Sequence, residues 1–272
     1  MPIAVRQQPT VKGTTGSNFV AGIAEISKPT TGIKMAIYGR SGTGKTTIFS
    51  TFPKPSLLIK AEEGTRSIYK EKGVFVTPLV THPEQLVQTC ESIRKGKGGY
   101  KTVGLDTATA FQDTVLQSIV QRKLPEQMGF AEVGKDEWGQ CALKMKECLR
   151  CLMDLADLGI NIVVLAQERD FSEDNTSDML LPTVASRVTP SVVDWLNPEV
   201  DYIGHTFLKQ VTIKKATKKG KESVIRSEEV IKYCLLTGPH PVYVTKFRIP
   251  RGNKLPEYLM DPDYTQIAAL ID

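Results

Sequence analysis

Histidine is scarce in this chain, with three residues in 272, and cysteine is little commoner at five. The cysteines follow no regular spacing, which excludes a disulfide framework and leaves no zinc-site pattern. Cys148 and Cys151 do form a C-x-x-C. However, Cys141, Met145, Cys148, Leu149 and Leu152 fall on one stripe at helical spacing, so core packing explains the pair better than metal or redox chemistry. Long apolar runs are missing too. The most continuous ones, such as Ile160 to Ala166, are far too short to span a bilayer, and the N-terminus lacks the continuous apolar core of a signal peptide. These absences predict a soluble, cytoplasmic protein with reduced thiols and no membrane partner. Excess charge is also slight: a net charge of +5 permits a polyanionic partner without requiring one.

What is present is one unbroken motif. Gly39-Arg40-Ser41-Gly42-Thr43-Gly44-Lys45-Thr46 fits the phosphate-binding pattern G-x-x-x-x-G-K-[ST] without a mismatch, and Thr47 follows it. An apolar strand, Ile33 to Tyr38, precedes it, and a short helix that Pro53 must end comes after it, which is the context the motif needs. Glycines let the backbone wrap a phosphate closely, and successive N–H groups form an anion nest at the positive end of the helix. Lys45 would reach the β- and γ-phosphates, and the Thr46 hydroxyl would ligate Mg²⁺. The length suits one α/β domain with appendages.

Further strands then deliver polar residues. Ser56 to Lys60 reads as a buried strand running into Ala61-Glu62-Glu63-Gly64. In doubly wound sheets ligands sit beyond the carboxyl ends of the strands, so Glu62 first and Glu63 second are in position to orient or deprotonate a water. Val74 to Val76 is a third strand, and Thr81-His82-Pro83-Glu84 looks like a capping box before a helix that Gly96 stops. Thr102-Val103-Gly104-Leu105-Asp106 is an apolar strand ending in Asp, about sixty residues after the loop, as in the Walker B element that holds Mg²⁺. Two helices follow, about Ala108 to Leu124 and about Trp138 to Leu158, the second capped by Gly159. Ile160 to Ala166 delivers Gln167 to the same edge as Glu62 and Asp106, where an amide can hydrogen-bond a γ-phosphate.

Beyond Gln167, Glu168 to Pro190 has no regular pattern, and long loops in compact domains are usually functional or mobile. Its charges are mixed, with Arg169 and Arg187 opposed by Glu173, Asp174 and Asp178. Strands are predicted over about Asp201 to Lys214, Val230 to Leu236 and Val242 to Ile249. The cluster Lys214 to Lys221 between the first two reads as a solvated hairpin tip or as a contact for a polyanion. Residues 1–30 promise little core: a loose leader, or an arm whose Phe19 docks on a neighbouring subunit.

Loop, strand-end Glu, Walker B Asp, strand-end Gln, irregular loop and C-terminal strands, in this order over about residues 30 to 272, resemble the RecA-type recombinase ATPase core. The likeness is to its short, phage-encoded version, the AAA-type ATPases and recombinase-like single-strand annealing proteins. It implies an α/β P-loop NTPase with a mostly parallel central sheet flanked by helices and antiparallel C-terminal strands, formed by residues 31–272. It also implies ATP and Mg²⁺ as cofactors, with Gly39 to Thr47 holding the nucleotide and Thr46 and Asp106 the metal. Glu62 would be the catalytic glutamate, and Gln167 would couple the γ-phosphate to a DNA-binding loop, here Glu168 to about Pro190. Pro125 to Asp136 would lie near a first such loop. Lys246 and Arg248, in Lys246-Phe247-Arg248, are similar to the basic pair that reaches a neighbouring subunit's γ-phosphate. The partners implied are single-stranded DNA, further copies of the chain in a head-to-tail ring or filament, and a phage single-strand-binding protein. The chain lacks the extra DNA-binding domains of full-length recombinases, and its second loop is neither glycine-rich nor clearly basic. Binding or annealing is therefore expected rather than strand exchange. Rival expectations are a nucleotide-gated assembly factor or helicase loader acting on a protein, and a packaging or unwinding motor.

Overall fold

Lys34–Gly39 forms β1, and β2 (Ser56–Lys60), β3 (Val74–Val76), β4 (Thr102–Asp106) and β5 (Asn161–Ala166) run parallel with it in one sheet. The structure is a computed structural model. It describes residues 30–123, 133–170, 183–219 and 222–271, with 123, 214–219 and 222–226 described by their backbone alone. The expected N-terminal arm with Phe19, most of Pro125 to Asp136, residues 171–182 of the irregular loop and the lysine side chains of Lys214 to Lys221 lie outside the described residues.

The parallel strands read as near-continuous apolar runs because helices cover both of their faces. Along β1, Ala36 and Tyr38 pack on one side of the sheet and Met35 and Ile37 on the other. The first side is covered by α2 (Pro83–Arg94), α3 (Ala108–Lys123), α4 (Lys135–Met153) and α5 (Pro190–Glu199). The second is covered by α1 (Lys45–Ser50) and α6 (Tyr264–Ile271), through Ile48, Phe49, Phe52 and Ile267. Phe49 is fully buried; burial of such a ring stabilises by about 1.5–3 kcal/mol, which fixes the short α1 against β4.

Cys141, Met145, Cys148, Leu149 and Leu152 are all buried along α4, so the C-x-x-C belongs to the core. That helix passes into a 3₁₀ turn, Asp154–Leu158, and ends at Gly159, whose φ of 78° suits glycine. α2 begins with Pro83, and Gln85 Oε1 accepts hydrogen bonds from the backbone N–H groups of Thr81 and His82.

The C-terminal part departs from expectation in three places. Glu168 to Pro190 is not wholly irregular: β6 (Glu168–Asp170) and β7 (Val184–Ser186) pair as an antiparallel stem. Three residues such as Glu-Arg-Asp carry no apolar alternation, so nothing in the pattern marks them. The hairpin is longer than expected, with β8 (Tyr202–Lys219) against β9 (Glu222–Leu236). Of the strand expected over Val242 to Ile249, only β10 (Lys246–Phe247) forms, and β11 (Tyr258–Met260) follows it. The nine-stranded sheet runs β11-β9-β8-β1-β5-β4-β2-β3, with β10 beside the start of β8. Among the described residues, no helix is long and apolar enough to cross a membrane.

Candidate functional site

Register decides which residues meet. Tyr38 lies beside Ala166, Leu165 beside Asp106, and Asp106 beside Lys60, so the phosphate loop, Gln167, Asp106 and Glu62 all emerge at the carboxyl edge of the sheet. Backbone bonds tighten this edge: the N–H groups of Ala61 and Glu62 donate to Asp106 O at 2.8 and 3.3 Å. The result is a cavity of about 720 Å³, within the size range of small-molecule sites.

Ser41, Gly42, Gly44, Lys45, Thr46 and Thr47 line this cavity. Gly44 has a φ of 88°, a backbone that glycine adopts freely. Gly39, Arg40 and Thr43 shape the loop from behind: Thr43 Oγ1 donates to Arg40 O at 2.7 Å and sits 2.6 Å from Thr206 Oγ1 on β8. A Cβ on Gly39 would lie 2.3 Å from that Thr206 oxygen, so the loop packs on β8 only because position 39 has no side chain. Lys45 Nζ donates to Gly39 O and Arg40 O, both at 2.8 Å. Burial lowers the pKa of this ammonium, and the nearby Asp106, Glu62 and Glu168 charges offset part of the effect.

Thr46 Oγ1 donates to Asp106 Oδ2 at 2.9 Å. Burial raises the Asp106 pKa, although the Thr46 hydrogen bond pulls the other way. A hydroxyl and a carboxylate side by side are hard oxygen donors, the set Mg²⁺ takes when phosphates and waters complete its shell. Thr46 and Asp106 would hold the ion, which would supply positive charge to offset that developing on a phosphoryl group.

Both glutamates after β2 line the cavity, but they differ. Glu63 is exposed and paired with Lys60 Nζ at 3.0 Å. Glu62 is half-buried and makes no ion pair among the described residues, so it is the carboxylate at liberty to hold a water. Gln167 lines the same cavity. Its N–H donates to Thr109 Oγ1 at 3.0 Å, and its carbonyl accepts from Arg187 N at 2.6 Å.

These last two bonds lead to a second cavity of about 420 Å³, lined by Thr109, Gln112, Asp113, Trp138, Arg169 and Arg187 among others. Arg169 and Arg187 belong to the stretch Glu168 to about Pro190 expected to contact DNA, and Trp138 follows closely on the stretch Pro125 to Asp136.

Lys246 and Arg248 are not brought to the first cavity. Lys246 sits opposite Ile203, at the amino end of β8 and thus at the far edge of the sheet. Lys246 Nζ donates to the carbonyls of Asn197, Pro198 and Val200 at 2.7, 3.2 and 2.6 Å, closing the C-terminus of α5. Arg248 pairs with Asp201 at 2.8 Å.

A sequence model of the AAA domain family matches residues 31–249, the stretch that holds the loop, Glu62, Asp106 and Gln167. The chain belongs to the AAA domain family. It is thus a P-loop nucleotide-binding protein of the ATPase kind, with the α/β fold expected of it. No curated protein matches the chain significantly. Sequence reasoning missed Tyr233, inside the AAA domain, and Asp261, Pro262 and Asp263, beyond it, all of which line the cavity. Nothing in their local pattern singles them out, because only the pairing of β9 with β11 brings them to the site.

Proposed function

We propose that the chain is a Mg²⁺-dependent ATPase that assembles head to tail and binds single-stranded DNA in phage recombination, annealing, repair or replication. The observation that carries the reading is the meeting of Lys45, the Thr46–Asp106 pair, Glu62 and Gln167 on one cavity. Glu62 orients a water in line with the γ-phosphorus and accepts its proton, while Lys45 stabilises charge that develops on the phosphoryl oxygens. Gln167 hydrogen-bonds the γ-phosphate and loses that contact on hydrolysis. Because Gln167 is also held by Thr109 and Arg187, which line the second cavity, its release loosens that cavity as well. Trp138, Arg169 and Arg187 supply the aromatic and basic groups that single strands bind without sequence preference. A finger role in trans for Lys246 and Arg248 requires both to leave their partners around α5.

The test is ATP turnover with and without single-stranded DNA, for the parent chain, Lys45→Ala and Glu62→Gln. DNA is expected to raise turnover in the parent, and each substitution to lower it by at least about a hundredfold. Turnover that ignores DNA but rises with a replisome protein overturns the DNA part of the reading in favour of an assembly factor.

A further inference from the structure

The first cavity has two chemically different flanks. In sheet order, β4 with Asp106 lies on one side of β1 and β9 with Tyr233 on the other. The phosphate loop, rooted in β1, therefore stands between a carboxylate flank and an aromatic one. A phosphate chain gripped at Lys45 with its terminal group towards Glu62 and Asp106 directs its other end to Tyr233.

That second flank is built, not incidental. The Tyr233 ring lies so close over the loop that a Cβ on Gly44 would be 3.1 Å from its Cδ1, yet the residue stays 47% exposed. Cys234 pairs with Met260, so the turn after β11 starts beside Tyr233, and Asp261 N–H donates to Tyr233 O at 2.7 Å. Asp261 takes a φ of 44°, rare for a residue with a side chain, and Lys232 pairs with its carboxylate. Pro262 is buried. Asp263 Oδ1 accepts from Gln266 N at 2.8 Å at the start of α6, and its other oxygen makes no hydrogen bond among the described residues. The turn is bolted to the end of α1, where Tyr264 N donates to Thr51 Oγ1 at 2.8 Å and the Tyr264 ring packs on Phe52. Asp261 to Asp263 lie beyond the matched residues 31–249, whereas Tyr233 lies within them.

We propose that Tyr233 and the Asp261–Asp263 turn form the nucleobase subsite, with Tyr233 stacking on the base and the Asp263 carboxylate accepting from its exocyclic amino group. The inference rests on the nucleotide reading above. An aromatic face stacks on any base, whereas an ionised carboxylate only accepts hydrogen bonds. Adenine offers an amino group where hypoxanthine offers a carbonyl oxygen, which a carboxylate repels.

Titration calorimetry with Mg²⁺ and ATP, ITP or inorganic tripolyphosphate on the full chain tests this. The parent should bind ATP more tightly than ITP or tripolyphosphate. Tyr233→Ala should cut the advantage of ATP over tripolyphosphate by about tenfold or more, leaving tripolyphosphate affinity and the melting temperature in place, and Tyr233→Phe should retain it. Asp263→Asn, which can still cap α6, should narrow the ratio of ATP to ITP affinity by about fivefold or more. If Tyr233→Ala weakens ATP and tripolyphosphate alike, or neither, or if Asp263→Asn leaves the ratio unchanged, the base subsite is overturned while the phosphate site stands. A parent chain that binds neither ATP nor tripolyphosphate overturns the nucleotide reading itself.

Discussion

Glu168 Oε1 accepts a hydrogen bond from Arg40 Nε at 2.8 Å, tying the residue after Gln167 to the second residue of the phosphate loop. Its other oxygen lies 2.7 Å from His205 Nε2 on β8. The Arg40 side chain is 84% exposed, so that ion pair stabilises little. His205 is 3% exposed and stacks on Tyr243 with ring centroids 4.0 Å apart, making it the firm anchor. Loop and β6–β7 stem are thus held by one carboxylate.

Removing that carboxylate should cost stability. Glu168→Ala leaves the buried His205 without its partner and is expected to destabilise by about 1–3 kcal/mol. Glu168→Gln, which keeps an acceptor for the ring N–H, should cost less. Denaturant unfolding of the two variants measures the difference, and equal losses would mean that His205 gains nothing from the bond.

Stability should also fall with pH in two stages. Burial lowers the His205 pKa below its usual 6.5, against the pull of Glu168. The unfolded chain therefore takes that proton more readily, and stability drains away as pH falls from about 6.5 towards the folded value. For Glu168, burial alone would raise the carboxyl, but hydrogen bonds from His205 and Arg40 outweigh it and hold the pKa below its usual 4.5. Its contribution is kept above that value and lost as pH falls through the depressed one. Unfolding midpoints at several pH values should show both stages, and His205→Gln should flatten the first.

The Thr46–Asp106 contact predicts a graded metal requirement. Asp106→Asn and Thr46→Ala should each raise the Mg²⁺ concentration for half-maximal turnover by about tenfold or more, while Thr46→Ser keeps the hydroxyl and stays near the parent. Turnover titrated against Mg²⁺ decides, and an Asp106→Asn curve that overlays the parent removes Asp106 from the metal site.

Gly104 predicts a packing defect. A Cβ there would lie 2.5 Å from the Phe49 ring and 3.1 Å from Leu58, so Gly104→Ala should cost about 1–3 kcal/mol by overpacking. Adding Phe49→Leu should recover part of the melting temperature. Without recovery, the strain does not run through α1.

Lys246 separates a structural from an interfacial role. Lys246→Met strips three carbonyls around the end of α5 of their donor and should lower the melting temperature by a few degrees, matching about 1 kcal/mol. A finger acting in trans would in addition let mixtures of Lys246→Met with Glu62→Gln recover turnover. A stability loss without recovery leaves Lys246 as a helix cap only.

The phosphate loop, the Asp106 strand end and the apolar parallel strands were legible in the amino-acid order because each is a contiguous signal: a motif, or a run buried on both faces. Glu62 and Gln167 were legible through one topological rule, that parallel strands present their carboxyl ends at a common edge. The β6–β7 stem and α6 were not, since three-residue strands and short helices draw their stability from partners rather than from their own periodicity. Chain order ranked Glu62 ahead of Glu63, and the structure adds a physical difference between these neighbours of identical chemistry, since Lys60 engages Glu63. The sequence alone therefore determined the phosphate-binding motif and the strand ends that flank it. Only the tertiary structure decided that Tyr233 and Asp261 to Asp263 face the same cavity and that Lys246 and Arg248 do not. Those placements follow from antiparallel register and sheet order, which arise between segments and leave no mark within any one of them.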